Sequence, residues 1–429
     1  MSSQTPVPLP DAAVPPPGQT GVAAPTDEPD DGRRILHEML TSSWLVSVLA
    51  AVLALILGGL LIAAADAEVQ AAAVYFFSRP SDMISAAWTA VSEAYKALFA
   101  GAIYDPRADT FAKAIRPLTE TLTVATPLIL AGLGLGIGFR AGLFNIGAQG
   151  QIILGGIFAG YIGFTFDLPF PLHMLLCAIG AALGGALWAG IAGVLKARTG
   201  AHEVIVTIML NNIAIYLVAY LLSLDAFQRP GSNNPVSPPI PDSAAYPLLL
   251  GEGYRLHAGF LLALLGAWFT WWLMERSTIG FRWRAVGSNP HAARTAGISV
   301  NSAYVWVMLT AGAFAGLAGS AQVLGTERVL TAGVAASYGF DAITVALLGR
   351  SKPLGTVFAG ILFGALRAGG VVMQARTGTP IDIVLVVQSL IVLFIAAPPL
   401  VRSVFRLPSP DTPRAPKPVV PVGAKEVSA

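Results

Sequence analysis

WLVSVLAAVLALILGGLLIAAA, residues 44–65, runs for 22 residues without a single charge. As a helix rising about 1.5 Å per residue it reaches about 33 Å, enough for the ~30 Å hydrocarbon core of a bilayer. Its start beyond residue 40 and its length set it apart from a cleaved signal peptide, although Ala63-Ala64-Ala65 resembles a processing site. A retained spanning helix is expected. The rest of the chain agrees: 55% of its 429 residues are apolar or aromatic and only 12% are charged. Mean hydropathy is +0.67. One core cannot hide that much apolar surface, so lipid must cover part of it.

Further apolar runs fall at about 119–138, 146–165, 172–195, 204–223, 257–274, 303–324, 341–349, 354–373 and 381–398. Together they predict an all-α polytopic membrane protein with about ten transmembrane helices. A polar stretch at 66–118 contains an amphipathic piece near Ile84–Phe99, and a Pro-rich loop covers 224–256. With the N-terminus in the cytoplasm, alternate short segments holding Arg140, Lys196, Arg198, Arg276, Arg282, Arg284, Arg294, Arg350 and Lys352 fall inside. That is the positive-inside pattern, and it predicts that both termini are cytoplasmic. Residues 1–40, with eight prolines by position 29, and 403–429, with six between 408 and 421, have too little apolar content to fold. Both read as disordered tails, with the transmembrane domain between them at 41–402.

The 26 basic and 24 acidic side chains leave no basic domain face for nucleic acid. A lone Cys177 excludes an intrachain disulfide, and histidines 37, 173, 202, 257 and 291 are too scattered to suggest a metal site. His202-Glu203 opens like a zinc-protease helix, but position 206 is Val where the second histidine is required. Neither a Gly-x-Ser-x-Gly elbow nor a Gly-x4-Gly-Lys-Ser/Thr phosphate loop occurs in the chain. No catalytic constellation is legible, and the chain is expected to bind no cofactor.

Within the spans, small-xxx-small pairs such as Gly180/Gly184 and Gly312/Gly316 predict close helix packing. Ile157-Phe-Ala-Gly160 returns as Val357-Phe-Ala-Gly360, a faint hint of a duplicated bundle. Amides and glycines interrupt two apolar runs at 139–151. Irregular backbone at membrane depth is tolerated where it is buried in protein or lines a cavity. Asn145, Gln149 and Gln151 therefore either face a substrate path or satisfy freed backbone groups. Thr207, Asn211 and Asn212 offer the same two readings, substrate contact or interhelical hydrogen bond. Arg367 is the clearest ionisable residue inside a span and must face protein or water. Asp341 is either its partner or the N-cap of a helix at 342–348. Between two spans, Asn289 suits an N-cap, Pro290 a first helical position and Gly297 the position after the last turn. A short helix bearing Ala292, Ala293 and Arg294 follows, either a plain connector or a docking knob.

Four runs in order, FRAGLFNIGAQGQ (139–151), HEVIVTIMLNNIA (202–214), RAVGSNPHAARTAGI (284–298) and GFDAITVALLGRSKPLG (339–355), resemble the permease subunits of bacterial ABC importers for nucleosides and simple sugars. The resemblance covers about residues 120–400. It implies a type II-like importer permease in the bacterial plasma membrane, forming the translocation path for nucleosides or related sugars. Permeases for ribose-type sugars or branched-chain amino acids share the fold and match less well. It also implies partners: an ATP-binding cassette ATPase that uses ATP, a second related permease, and an extracellular substrate-binding lipoprotein. Within a coupling loop at 276–302, Asn289, Pro290, Ala292, Ala293, Arg294 and Gly297 would then form the helix seated in the ATPase. His291 stands where the family usually has Glu, and His202 where it has Asn; the first departure weakens any inference of a specific salt bridge to the ATPase, not of the docking itself. An autonomous secondary transporter would need a coupling-ion site, and the spans offer few carboxylates beyond Asp341 and Asp382.

Overall fold

The structure is a computed structural model that describes residues 43–407. The described residues form helices and no strand; their only β pairings are two isolated bridges. In chain order the helices are α1 (Ser43–Ala65), α2 (Ala67–Ala73), α3 (Pro80–Ala102), α4 (Phe111–Ala114), α5 (Arg116–Arg140), α6 (Ala148–Thr165), α7 (Leu172–Thr199) and α8 (Glu203–Leu221). There follow α9 (Gly259–Trp271), α10 (Thr278–Ser288), α11 (Pro290–Thr295), α12 (Val300–Ser320), α13 (Tyr338–Leu348), α14 (Pro353–Thr377), α15 (Asp382–Ala396) and α16 (Pro398–Val404). α9 and α12 each run on into a π-helical turn, at Trp272–Arg276 and Ala321–Thr326.

Every apolar run becomes a helix within a few residues of its expected limits. Six are long and apolar enough to cross a membrane: α1, α4 with α5, α7, α8, α12 with its π turn, and α14. Taking α15 and α16 as one bent span makes seven. The count of ten is not reached by this measure, for local reasons. α6 is diluted by two glutamines and five glycines, α9 has 13 residues, and α13 has 11. The amphipathic piece is longer than expected, because Pro80 opens α3 at its first turn and the helix continues to Ala102. At the C-terminal boundary the chain stays packed beyond 402, with Phe405 and Leu407 against the cluster of α1 and α15. The remainder of both expected tails lies outside the described residues.

α5 is the axis of the bundle. Its apolar window is 83% buried, against 28% for α1 and for α8, so the latter two are peripheral. Close approach depends on glycine where α12 crosses α7: a Cβ on Gly312 would meet the carbonyl of Gly185, and one on Gly316 that of Ala181. These pairs run in opposite directions along the two helices, so α7 and α12 are antiparallel. Likewise Ile129 meets Gly360 and Thr121 meets Gly364, which makes α5 and α14 antiparallel.

Arg140, Lys196, Ser351 and α11 gather at one end of the bundle, here the basic end. α5, α6 and α7 run toward it, away from it and toward it, whereas α12, α13 and α14 run away, toward and away. α5 packs on α13 and α14, and α12 packs on α6 and α7. The two halves are thus an inverted repeat with exchanged partners. In that correspondence α6 matches α13 and α7 matches α14. Ile157–Gly160 on α6 and Val357–Gly360 on α14 therefore sit on non-equivalent helices, and their likeness is not the trace of the duplication.

Candidate functional site

The two halves each contain one break between their first two helices, and the helix starts that follow the breaks meet. In the first half, residues 141–147 separate α5 from α6, turning at Gly142 (φ +74°) with Gly287 packed against it. In the second half, the chain from Glu327 to Ser337 is non-helical and α13 starts within the bundle. Eleven residues make α13 about 16 Å long, half of the ~30 Å hydrocarbon. The first turns of α6 and α13 face each other, each with backbone N–H groups that have no partner in their own helix.

Gln149 joins them. Its Nε2 donates to the carbonyl of Ala336 at 2.5 Å, and its Oε1 accepts from the Gly339 amide at 3.0 Å. Residue 339 must be glycine, since a Cβ there would strike the backbone of Gln149. On the other side of α6, Asn211 of α8 accepts from the Gly150 amide at 2.8 Å and donates to the Ile146 carbonyl at 2.9 Å. It caps α6 from a neighbouring helix. Asn145 and Gln151 pair their amides reciprocally at 3.1 and 3.0 Å, and Asn145 also accepts from the Gly147 amide. All four amide side chains are buried. Thr207, also buried, bonds back to the Glu203 carbonyl of its own helix. Asn212 is exposed, bonded only to Ile208 of its own helix, and takes no part in the seam. Gln149 and Asn211 thus bond between elements, Asn145 and Gln151 bond within the turn that opens α6, and Thr207 and Asn212 bond only within α8.

Arg367 of α14 is brought to the same place. Its Nη1 donates to Asp341 Oδ2 and to Ser337 Oγ, each at 3.1 Å, and its guanidinium lies 4.4 Å from the ring centre of Tyr338. Ser337 also donates to Asp341 at 2.9 Å. Asp341 is therefore the partner of Arg367 and not an N-cap: the helix already begins at Tyr338, which places Asp341 in its first turn, where a negative charge is favoured. Arg367 and Asp341 keep 29% and 23% of their side chains accessible. An ion pair at this depth cannot face lipid cheaply, so its open side belongs to protein or water. Ser337 and Tyr338 are additions the sequence did not flag.

At the basic end, Arg140 and Arg284 share Glu275 at 2.6 and 3.5 Å, and Lys196 meets Glu203 at 2.5 Å across the turn at Gly200. α11 forms as its caps require. Asn289 accepts from the amides of His291 and Ala292, both at 3.0 Å, Pro290 opens the helix, and Gly297 takes φ +79° just past its end. One expectation is corrected here. Ala293 is 5% exposed and packs inward, so it anchors α11; the surface α11 presents is made by His291, Ala292, Arg294 and Thr295. Among the described residues no group of three His, Cys, Asp or Glu side chains is placed to hold a metal.

A family model described as the branched-chain amino acid transport system permease component matches residues 118–396. The guanosine ABC transporter permease NupP of Bacillus subtilis (strain 168) is 41% identical over 286 residues, 66% of this chain and 82% of that protein. The glucose ABC transporter permease TsgB13 of Haloferax volcanii is 38% identical, over 65% of this chain and 75% of its own. The nucleoside ABC transporter permease NupB of Lactococcus lactis subsp. cremoris is 33% identical, over 66% and 79%. No solved structure gives a significant match.

Proposed function

The chain belongs to the branched-chain amino acid transport system permease family, and on that premise we propose that it forms the translocation path of an ATP-driven importer for nucleosides. The observation that carries this reading is the 41% identity to a guanosine permease across most of that protein. The 38% match to a glucose permease supports simple sugars as the second reading. The chain has no phosphate-binding loop, so ATP is bound and hydrolysed by a separate ATPase. A substrate-binding lipoprotein delivers the cargo from outside.

In this reading the basic end is cytoplasmic, following the positive-inside rule, and the membrane is the bacterial plasma membrane. α6, α9 with its π turn, α13, and α15 with α16 also lie at membrane depth, which restores about ten passes. α11 is the coupling helix. Its exposed His291, Ala292 and Arg294 meet the ATPase, and Ala293 transmits the push to the bundle. Two inverted halves joined at Gln149 give a bistable body of the kind alternating access requires. The accessible side of the Arg367–Asp341 pair supports a second, related permease, with the aqueous path between the two chains.

Uptake of labelled guanosine, glucose and leucine into cells expressing the full set of subunits tests the assignment. Guanosine accumulation that is lost when the ATPase is inactivated is expected. Leucine uptake alone, or accumulation by this chain in liposomes under an ion gradient without the ATPase, overturns it.

A further inference from the structure

On the outer surface of the bundle, α9 and α12 leave a furrow between them that rises from the basic end. Its lower part holds about 960 Å³, between Phe281 and Trp306 and beside the return from α11 at Ala296–Ser299. Its upper part holds about 550 Å³, between Leu265 and Leu317. Both are lined by Phe269, Trp306 and Thr310, so they form one groove. From Ser302 to Leu317 α12 rises about 22 Å. That is one leaflet with its headgroup layer, half of a bilayer ~40–45 Å thick.

The groove is polar at one end only. Arg282 lines the lower part and makes no ion pair among the described residues, whereas Arg140 and Arg284 nearby are both held by Glu275. The exposed Trp271 and Trp272, at the end of α9, and Trp306 of α12 lie on the elements around this end, where an interfacial belt is expected. Trp306 and Trp268 are largely exposed.

We propose that this groove binds an anionic phospholipid, with the phosphate against Arg282 and an acyl chain lying along Trp306, Leu309 and Leu317. Charge complementarity selects the headgroup and the one-leaflet length selects the chain. The lipid then rests on residues 296–299, the link between α11 and α12, beside the segment that carries motion from α11 into the bundle. The site stands independently of which substrate is transported.

Native mass spectrometry of the purified full-length chain with added phosphatidylglycerol or phosphatidylcholine tests it. Phosphatidylglycerol is expected to be retained in preference because its headgroup is a net anion, and Arg282→Gln to weaken its retention about fivefold and that of the zwitterionic phosphatidylcholine less, so that the preference narrows, the effect of one arginine at an anionic surface. Ala313→Trp, which fills the upper groove, should weaken both lipids. Glycerol phosphate, lacking acyl chains, should not compete. Equal retention of the two lipids by the wild type, or an Arg282→Gln variant that keeps its preference, overturns the proposal. So does lipid that binds the isolated chain but is excluded from the assembled transporter, since the groove would then belong to a protein partner. Arg282 is exposed, so its replacement leaves the fold intact.

Discussion

Replacing Gln149 by leucine should loosen the junction of the two halves. The substitution removes both hydrogen bonds of the side chain, leaving the buried Gly339 amide without a partner, while the carbonyl of the exposed Ala336 stays open to other donors. The Gly339 amide lies in the first turn of α13, where no helical acceptor exists, and residue 339 is buried. At about 1–3 kcal/mol for one orphaned buried group, and little for the exposed carbonyl, the loss comes to about 1–3 kcal/mol. Asn212→Leu is the internal control: Asn212 is exposed and bonded only to its own helix, so its loss should stay within about 0.5 kcal/mol. Equilibrium unfolding of the two purified variants in mixed micelles measures the difference, alongside uptake at equal expression. If Gln149→Leu unfolds like Asn212→Leu, the clamp does not hold the halves together. If it instead raises KM for uptake with stability unchanged, Gln149 is a substrate contact and the structural reading is refuted.

Four further outcomes are expected. Arg367→Met and Asp341→Leu should each destabilise the chain more than the double variant does, with a coupling of about 0.5–3 kcal/mol in a double-mutant cycle; additive effects would disprove the pairing. Arg294→Glu should reduce co-purification of the ATPase at normal permease yield, whereas Ala293→Glu should lower the yield itself, because it overpacks a buried position. Arg376 beside Asp105 holds that carboxyl below its ordinary value of 3.8, so the unfolded chain takes up the proton more readily. The stability from this tie is complete above that value and is lost as pH falls through the lower folded value; an acid titration should show Asp105→Asn with a flatter acid limb than wild type. Finally, Thr20→Cys and Val420→Cys should resist impermeant thiol reagents applied to intact cells, against the quiet background of the one buried cysteine, Cys177; ready labelling would invert the topology.

Local chemistry was legible in the sequence wherever one segment carried its own instructions. The spans could be placed to within a few residues because bilayer thickness and helical rise together fix how long an uncharged run must be. α11 was readable from Asn289, Pro290 and Gly297 because caps act over three or four residues. The four motifs marked the family for the same reason, as continuous strings. Even so, the start of α13 was misplaced, since nothing near Tyr338 tells a helix to begin there; the Gly339 amide is satisfied by Gln149, nearly two hundred residues away.

What only the tertiary structure decided is how those segments answer one another. Gln149, Asn211 and Asn145 each left two readings open in the sequence, substrate contact or structural hydrogen bond, and their protein partners exist only in the packed fold, because an amide carries no mark of what it will bond. Asp341 could have capped a helix or paired with Arg367, and packing of α14 across α13 selected the pair. Ala293 could have faced the ATPase, and the turn at Gly297 set it against the bundle instead. The inverted repeat was hidden for a physical reason: a helix of given composition crosses a membrane in either direction with the same apolar surface. Direction, and with it the exchange of partners between the halves, exists only once the helices are packed.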